Sequence, residues 1–514
     1  MQLQSKKLAP RSGYPIFLII LSAFIIRAAY IFLLGSRVSN GDEIGYVIYS
    51  FRSIFNHFNP GYFLHGSLHM HLVTLIYICF FLVGKIIGFF ASRIYFLTFF
   101  LNDGTLFFFL SRFVSAFFNL GSVYLTYRIG SGLWGKKAGI AAAFIFAAIP
   151  MSLQMARDTS GYSATVFFIL LSVIFFLKLF QSLNFSSIIL SALAFGLAIS
   201  SDYYALILIP VYAAVLVWLI LKQEKRAMLF YSIPIFFLLA FLVYLAINPY
   251  MLFNSEAFWR EISSQAKAAV FSEHGHRYSY LSYLKLLTRP AYIFPSMFFI
   301  LGCFYILRKK DLEGIIIMSV ALINIVLFSL SKVQLPYYIY PAMPFLALVS
   351  AKAVKELVDT YKIGPVKIVL ITLAFVLLCC SDYRPRLYNR QAQMAKDWFV
   401  KNIPQGSKLL VDPTTIYFAQ TRLSQIIRDK DLYQEVLGRY IKEHPEEDYR
   451  IWTWNLTKDS IEIVNDEKIQ YLVLPHRDYD KESDDWLARS CLFLKGFEMR
   501  KDSQWTIRIY KVIR

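Results

Sequence analysis

The sequence predicts a mostly α-helical protein, a bundle of membrane-crossing helices followed by a small α/β domain at the C-terminus. Three observations carry this prediction. The 514 residues are 57% apolar and only 17% charged, with a mean hydropathy of +0.50, the profile of a polytopic membrane protein. Apolar runs long enough to cross a bilayer recur from Tyr14 to Cys380. Acidic residues are also unevenly spread: 20 of the 34 Asp and Glu fall between Tyr383 and Arg514, leaving 14 for the first 382 residues. The net charge of +19 reflects cationic loops between spans, as membrane topology requires. No basic stretch carries the aromatic interleaving or fold signature of nucleic-acid binding.

Tyr14–Leu34 is the first span, preceded by Lys6, Lys7 and Arg11; it reads as an uncleaved signal anchor with a cytoplasmic N-terminus. The loop after it carries Asp42 and Glu43. Tyr46–Phe58 then repeats apolar residues every three to four positions, the period of a helix lying on the membrane surface. Leu72–Phe90 is apolar but broken by Gly84, Lys85 and Gly88, and Ile94–Leu101 is too short to span alone. Clear spans follow at Leu106–Tyr127 and at Lys137–Pro150, which leads on to Arg157-Asp158. Further spans are Tyr162–Phe180, Ser186–Ser200, Tyr204–Leu221, Met228–Ile247, Tyr292–Leu307, Gly314–Leu330, Pro336–Ala351 and Val366–Cys380.

Placing the cation-rich loops Lys222–Arg226, Arg308–Lys310 and Lys352–Lys367 in the cytoplasm fixes the alternation. The total is then 11 or 13 spans. Either number puts Asp42, Arg157-Asp158, the loop Pro249–Arg289, the Ser331–Leu335 turn and the C-terminal domain outside the cytoplasm. Residues 1–382 are read as a transmembrane domain with outer loops at 35–71 and 249–289, and residues 383–514 as a soluble extracytoplasmic domain. In that domain Arg390–Asn402 reads as a helix; Lys408–Val411, Tyr449–Trp454, Ile469–Leu474 and Trp505–Val512 read as strands, with helices between. The five cysteines show neither metal spacing nor a disulfide framework.

Two adjacent carboxylates where the chain leaves the membrane stand out, because charge near hydrocarbon is costly and tends to be kept for function. Arg112, in apolar sequence, should face the protein interior or a polar cavity for the same reason. The order of features around these residues resembles the GT-C glycosyltransferases, in the branch of protein O-mannosyltransferases and lipid A aminoarabinose transferases. The matching pieces are Asp42-Glu43, the His65-Gly66-Ser67-Leu68 element, Ser111–Ala116 with Arg112, and Leu133–Gly139 ahead of a small-residue helix ending in Pro150. Ala194–Ala198, Asn248-Pro249-Tyr250, Ser331-Lys332 and Tyr337–Pro344 continue the match. The chain departs from the pattern at Gly66-Ser67, where relatives carry Pro-Pro, and at Ser201-Asp202, where a Lys is common. Relatives also carry an Asp where this chain has Gly161 or Tyr162, and Asp158 is the candidate to replace it.

The resemblance implies a membrane glycosyltransferase of GT-C type that takes a sugar from a polyprenyl-phosphate donor and delivers it to a lipid, glycan or protein hydroxyl outside the cytoplasm. The host membrane is then the plasma (inner) membrane of a bacterium or archaeon. Such a reaction needs a base for the acceptor proton and cations on the phosphate. Asp42 is the expected base, and Glu43 holds it or binds the acceptor. Lys332 is the expected phosphate clamp. Tyr337, Tyr338, Arg112, Arg157, Asp158, His65, His274 and Arg277 are the further substrate-binding candidates. Arg112 contacts the donor or pairs with the Asp42-Glu43 loop, and Arg157 contacts substrate or pairs with Asp158. No cofactor and no metal are expected, since one Asp-Glu pair is a thin site for a hard cation. Two other readings stay open. A transporter or flippase of lipid-linked sugars predicts internal repeats or paired broken helices. An O-antigen-ligase-like transferase makes His274 and Arg277 essential and Asp42 dispensable.

Overall fold

The computed structural model describes all residues except 1–13, 35–40, 182–183, 223–225, 272–280, 332, 363–373, 380–388, 412–418, 428, 454–457, 476–480, 498–506 and 514. The chain opens with α1 (Tyr14–Leu34), α2 (Gly41–Phe55), α3 (Leu68–Ile86), α4 (Arg93–Asn102) and the 30-residue α5 (Thr105–Trp134). Next come α6 (Lys136–Ala148), α7 (Pro150–Arg157), α8 (Tyr162–Gln181) and α9 (Phe185–Ser201). A 3-10 turn (Tyr203–Leu208) leads into α10 (Ile209–Lys222), α11 (Arg226–Ile247), α12 (Tyr250–Phe253), α13 (Ser255–Phe271) and α14 (Ser282–Leu287). The series closes with α15 (Pro290–Arg308), α16 (Leu312–Leu330), a second 3-10 turn (Pro336–Ala342) and α17 (Met343–Tyr361).

Among the described residues, eight helices are long and apolar enough to cross a membrane, or nine if α6 and α7, bent by 63° at their junction, count as one. Two segments counted among the 11 or 13 spans take other forms, and a third is mostly not described. Ser186–Ser200 is α9, only 17 residues long. Pro336–Ala351 divides into the second 3-10 turn and the buried first half of α17. Most of Val366–Cys380 lies outside the described residues.

The helices form two compact units that do not follow chain order. The first contains 1–33, 61–72 and 111–384, and the second contains 34–60, 73–110 and 385–514. In the first unit, α8 packs on α9, α9 on α11, and α17 on both α6 and α15. An ion-pair network ties one end of this bundle. Glu356 takes Lys309 at 2.7 Å and Lys352 at 2.9 Å, Asp359 takes Lys137 at 2.9 Å and Lys355 at 3.0 Å, and the Trp134 indole donates to Asp311 at 2.6 Å. Burial alone would raise the Glu356 carboxyl, but the hydrogen bonds from Lys309 and Lys352 outweigh it and hold the group at about 2, below its ordinary 4.5. A carboxyl depressed on folding stabilises the fold above the unfolded value and loses that contribution as the pH falls through the folded one. Glu356→Gln is therefore expected to cost about 1–2 kcal/mol at pH 7. In thermal melts of the purified protein, its deficit against wild type should shrink as the pH is lowered from 4.5 toward 2.

In the second unit, Phe51 of α2 anchors an aromatic core, with ring centroids 4.5 Å from Phe100, 5.2 Å from Phe96 and 5.2 Å from Phe107. Thr74 donates to the Ser50 carbonyl at 2.8 Å, and Tyr77 donates to the Phe107 carbonyl at 3.0 Å. The C-terminal part of this unit is a five-stranded mixed sheet of order β2-β1-β3-β5-β4. Its strands are β1 (Lys408–Val411), β2 (Arg450–Thr453), β3 (Tyr471–Pro475), β4 (Cys491–Phe497) and β5 (Ile507–Val512). β1 pairs in parallel with β2 and β3, while β5 is antiparallel to β3 and β4. Alternation along β1 and β3 builds two cores: Leu409, Val411 and Val473 pack with Phe399 on one face, and Leu410, Leu472 and Leu474 pack with Val464 on the other. The helix Ala419–Ile426 packs on α2, and the helix Lys430–Glu443 packs on α4. There the Arg439 guanidinium lies 3.6 Å over the Tyr95 ring, and Asn102 donates to Glu443 at 3.1 Å.

Candidate active site

The acidic pair belongs to the second unit. The sequence places Asp42 and Glu43 in a loop ahead of a helix starting near Tyr46, whereas the structure starts α2 at Gly41 and puts both in its first turn. Negative charge is favoured there, because the unpaired N–H groups and the helix dipole leave that end partly positive. The two side chains then diverge in exposure. Glu43 is fully buried, while Asp42 stays partly accessible.

The first unit holds the other described candidates. Arg112 on α5 and Asp158 are fully buried, and Arg157 is nearly so. Arg157 and Asp158 form an ion pair, Nε to Oδ1 at 3.5 Å. The segment that follows α7 docks on α5 to either side of Arg112: Thr159 meets Ser111 at 2.7 Å, and the Ser160 N–H donates to Ser115 Oγ at 3.4 Å. Two arginines and one carboxylate are thus held on neighbouring elements, stitched together by hydroxyls. Such a set can neutralise a phosphate, since Arg presents a fixed fork of donors to anions.

His65 is anchored by a partner the sequence reading passed over. Its Nδ1 lies 2.8 Å from Asp202 Oδ2, with both side chains buried. Asp202 also caps the first 3-10 turn through the Tyr204 N–H at 3.2 Å. The strand of chain carrying His65 is held on both sides, by Phe63 N–H to Glu261 at 2.8 Å and Ser67 N–H to Asn248 Oδ1 at 2.7 Å. Beside it stands a group of tyrosines. Tyr162 stacks on Tyr204 with ring planes 3° apart, and it contacts Tyr337 at 5.1 Å and His65 at 6.0 Å between centroids. Tyr338 lies 5.0 Å from Tyr204 and 5.3 Å from Tyr337. At Ser201-Asp202, where the sequence departs from the family pattern, the structure places a carboxylate facing a histidine.

Asp202 could have been flagged by the rule that marked Asp42, as a carboxylate at the end of an apolar helix. Its partner is 137 positions away, a distance no local pattern reports. Lys332, His274 and Arg277 lie outside the described residues. Among the described residues, no three His, Cys, Asp or Glu gather into a group that could hold a metal ion.

No protein-family model matches the sequence, and no curated protein matches it significantly. Solved structures do. The chain is similar to ArnT from Cupriavidus metallidurans in the apo state, with a TM-score of 0.58 at 13% identity over 96% of this chain and 97% of that one. The same protein bound to undecaprenyl phosphate gives a TM-score of 0.56 at 14% identity, with the same coverage. The archaeal oligosaccharyltransferase AglB from Archaeoglobus fulgidus, in complex with an inhibitory peptide and a dolichol-phosphate, gives 0.56 at 12% identity over 90% of this chain and 69% of that one. The sequence resemblance and the three-dimensional likeness converge on one architecture: this chain has the GT-C glycosyltransferase fold.

Proposed function

We propose that this protein is an integral-membrane glycosyltransferase that moves a sugar from a polyprenyl-phosphate donor to a hydroxyl of a lipid, glycan or protein acceptor. The observation that carries the reading is the pair of buried arginines, Arg112 and Arg157, held on either side of the Ser111–Thr159 contact. With Arg157 paired to Asp158, the two guanidiniums and one carboxylate keep a formal net positive charge inside an apolar bundle, which suits an anionic ligand with a lipid tail better than a neutral one. Two GT-C-fold proteins of known structure, ArnT and AglB, have been seen with undecaprenyl phosphate and dolichol-phosphate.

In this reading Asp42 takes the proton of the acceptor hydroxyl as its oxygen attacks the anomeric carbon. The bond from that carbon to the donor phosphate breaks, and the electron pair leaves with the polyprenyl phosphate. Arg112, Arg157 and Lys332 stabilise the charge that develops on this leaving group. Tyr337 and Tyr338 offer hydroxyls and ring faces to the sugar or phosphate. A transporter reading draws less support, since it calls for broken helices in corresponding halves, and the described residues contain one bent pair.

The test supplies membranes containing the full chain with a labelled polyprenyl-phosphate sugar pool, or with labelled nucleotide sugar after polyprenyl-phosphate synthesis is blocked. Transfer only with the first supports the reading. Transfer with the nucleotide sugar under the block, or movement of label across the bilayer without transfer, would replace it. Loss of transfer in His274→Ala with Asp42→Asn still active would point to the ligase-like chemistry instead.

A further inference from the structure

We propose that Arg27, the single charged residue of α1, is a positioning residue that fixes the bend between α6 and α7 and so places Arg157 and Asp158. An arginine midway along an apolar span is costly and asks for a reason. Arg27 is 1% exposed. It donates through Nε to Asn119 Oδ1 at 2.8 Å, through Nη1 to the Ala23 carbonyl at 3.1 Å, and through Nη2 to the Ala147 carbonyl and Ser152 Oγ, each at 3.2 Å. Ala147 and Ser152 lie on the two sides of the α6–α7 junction.

The backbone ladder explains why a charged donor sits there. In an unbroken helix the carbonyls of Phe146, Ala147 and Ala148 would take the N–H groups of residues 150, 151 and 152. Residue 150 is proline and has no N–H. The Met151 N–H is instead given to the Tyr292 hydroxyl at 3.1 Å, and the Ser152 N–H turns back to the Ile149 carbonyl at 2.9 Å. Arg27 Nη2 supplies the Ala147 carbonyl with the donor that Met151 withdraws. Asn119 adds a second brace, donating to the Ser152 carbonyl and hydroxyl at 3.1 Å each and to the Tyr340 hydroxyl at 2.7 Å. The junction is therefore bracketed from α1, α5, α15 and the second 3-10 turn. α7 has only eight residues and is about 12 Å long at 1.5 Å per residue. A rotation at its start is carried directly to Arg157 and Asp158 at its end.

This inference rests on the reading that Arg157 meets the donor phosphate, and two readouts on the full chain in lipid nanodiscs separate the two ideas. Hydrogen–deuterium exchange of residues 150–161 reads the bracket without any ligand. Affinity for undecaprenyl phosphate alone reads its consequence. In Arg27→Leu, exchange in 150–161 should rise about tenfold while β1, β3 and β5 keep their protection, and the Kd for undecaprenyl phosphate should rise about tenfold. Arg27→Lys keeps the charge and one or two donors and should recover part of both. Tyr292→Phe, which frees the Met151 N–H without touching α1, should shift exchange in the same segment, and it keeps the test alive if Arg27→Leu fails to fold. Unchanged exchange at 150–161 in both variants overturns the proposal. So does exchange that rises alike across the chain, or faster exchange at 150–161 with undecaprenyl phosphate affinity intact, because Arg27 would then serve folding only. If wild type does not bind undecaprenyl phosphate, the donor assignment fails, and the exchange pattern alone decides whether Arg27 sets the bend.

Discussion

Asp42→Asn lowers sugar transfer by about 10³-fold, within the range by which a positioned general base speeds a reaction, while melting close to wild type. Asn keeps the shape of Asp and cannot accept a proton. The loss of negative charge in the first turn of α2 costs about 0.3–1 kcal/mol of helix stability, too little to unfold an element held by the Phe51 aromatic core. Glu43→Gln should show the opposite balance. Its side chain is fully buried, so neutralising it alters packing and local charge before it alters the reacting atoms, and the melting temperature should move more than transfer does. The measurement is label transfer from the polyprenyl-phosphate sugar pool at matched expression, with a melting curve for each variant. Should Asp42→Asn keep more than about a tenth of wild-type transfer, well above what loss of a general base allows, the base must be sought elsewhere, first at His65 with its Asp202 partner.

Gly66→Ala is expected to damage the fold itself. A Cβ at Gly66 would run into the Ser200 carbonyl group and come within 2.8 Å of the Ile199 carbonyl oxygen. Both obstacles are backbone at the end of α9, and neither can rotate away. The segment must then lift, stretching the 2.8 Å contact of His65 with Asp202 and the 2.7 Å bond from the Ser67 N–H to Asn248. Overpacking costs about 1–3 kcal/mol and a broken buried hydrogen bond about as much again. The sum is about 4 kcal/mol, a large share of a typical folding free energy. Thermal melts and size-exclusion profiles should show a strongly destabilised protein with little transfer. Gly438→Ala is the control: nothing lies within 4 Å of its Cβ position on the exposed side of the helix Lys430–Glu443, and Ala for Gly in a helix should stabilise by about 1 kcal/mol.

Much of this architecture is legible in the sequence because its physical cause is local. Apolar runs report most of the spans, and Pro150 marks the end of a helix without giving the 63° bend, at which Arg27 and Asn119 donate from α1 and α5 and Tyr292 accepts from α15. Four of the five strands are visible as short β-rich runs; β4 is not. Its Cys491-Leu492-Phe493-Leu494 run follows a helical stretch directly and has no clean alternation. The acidic pair is visible because charge is scarce before Tyr383, yet its place in a helix is hidden: Gly41-Asp42-Glu43 reads as a turn, and only the dipole makes it a good helix start. The His65–Asp202 pair and the Arg27 bracket join residues 137 and 120 positions apart, and their existence is a property of the fold alone.

Residues 34–60 and 73–110 share a compact unit with the C-terminal residues 385–514. The piece of this protein that can be traded between homologues is therefore not the one a linear map suggests. A chimera that swaps only the C-terminal domain would confront α2 and α4 with foreign partners at the Ala419–Ile426 and Lys430–Glu443 helices. The Arg439–Tyr95 and Asn102–Glu443 contacts would be lost with them. Recombination that respects the structure must move three separated segments at once, because the acidic helix and the C-terminal sheet belong to one compact unit.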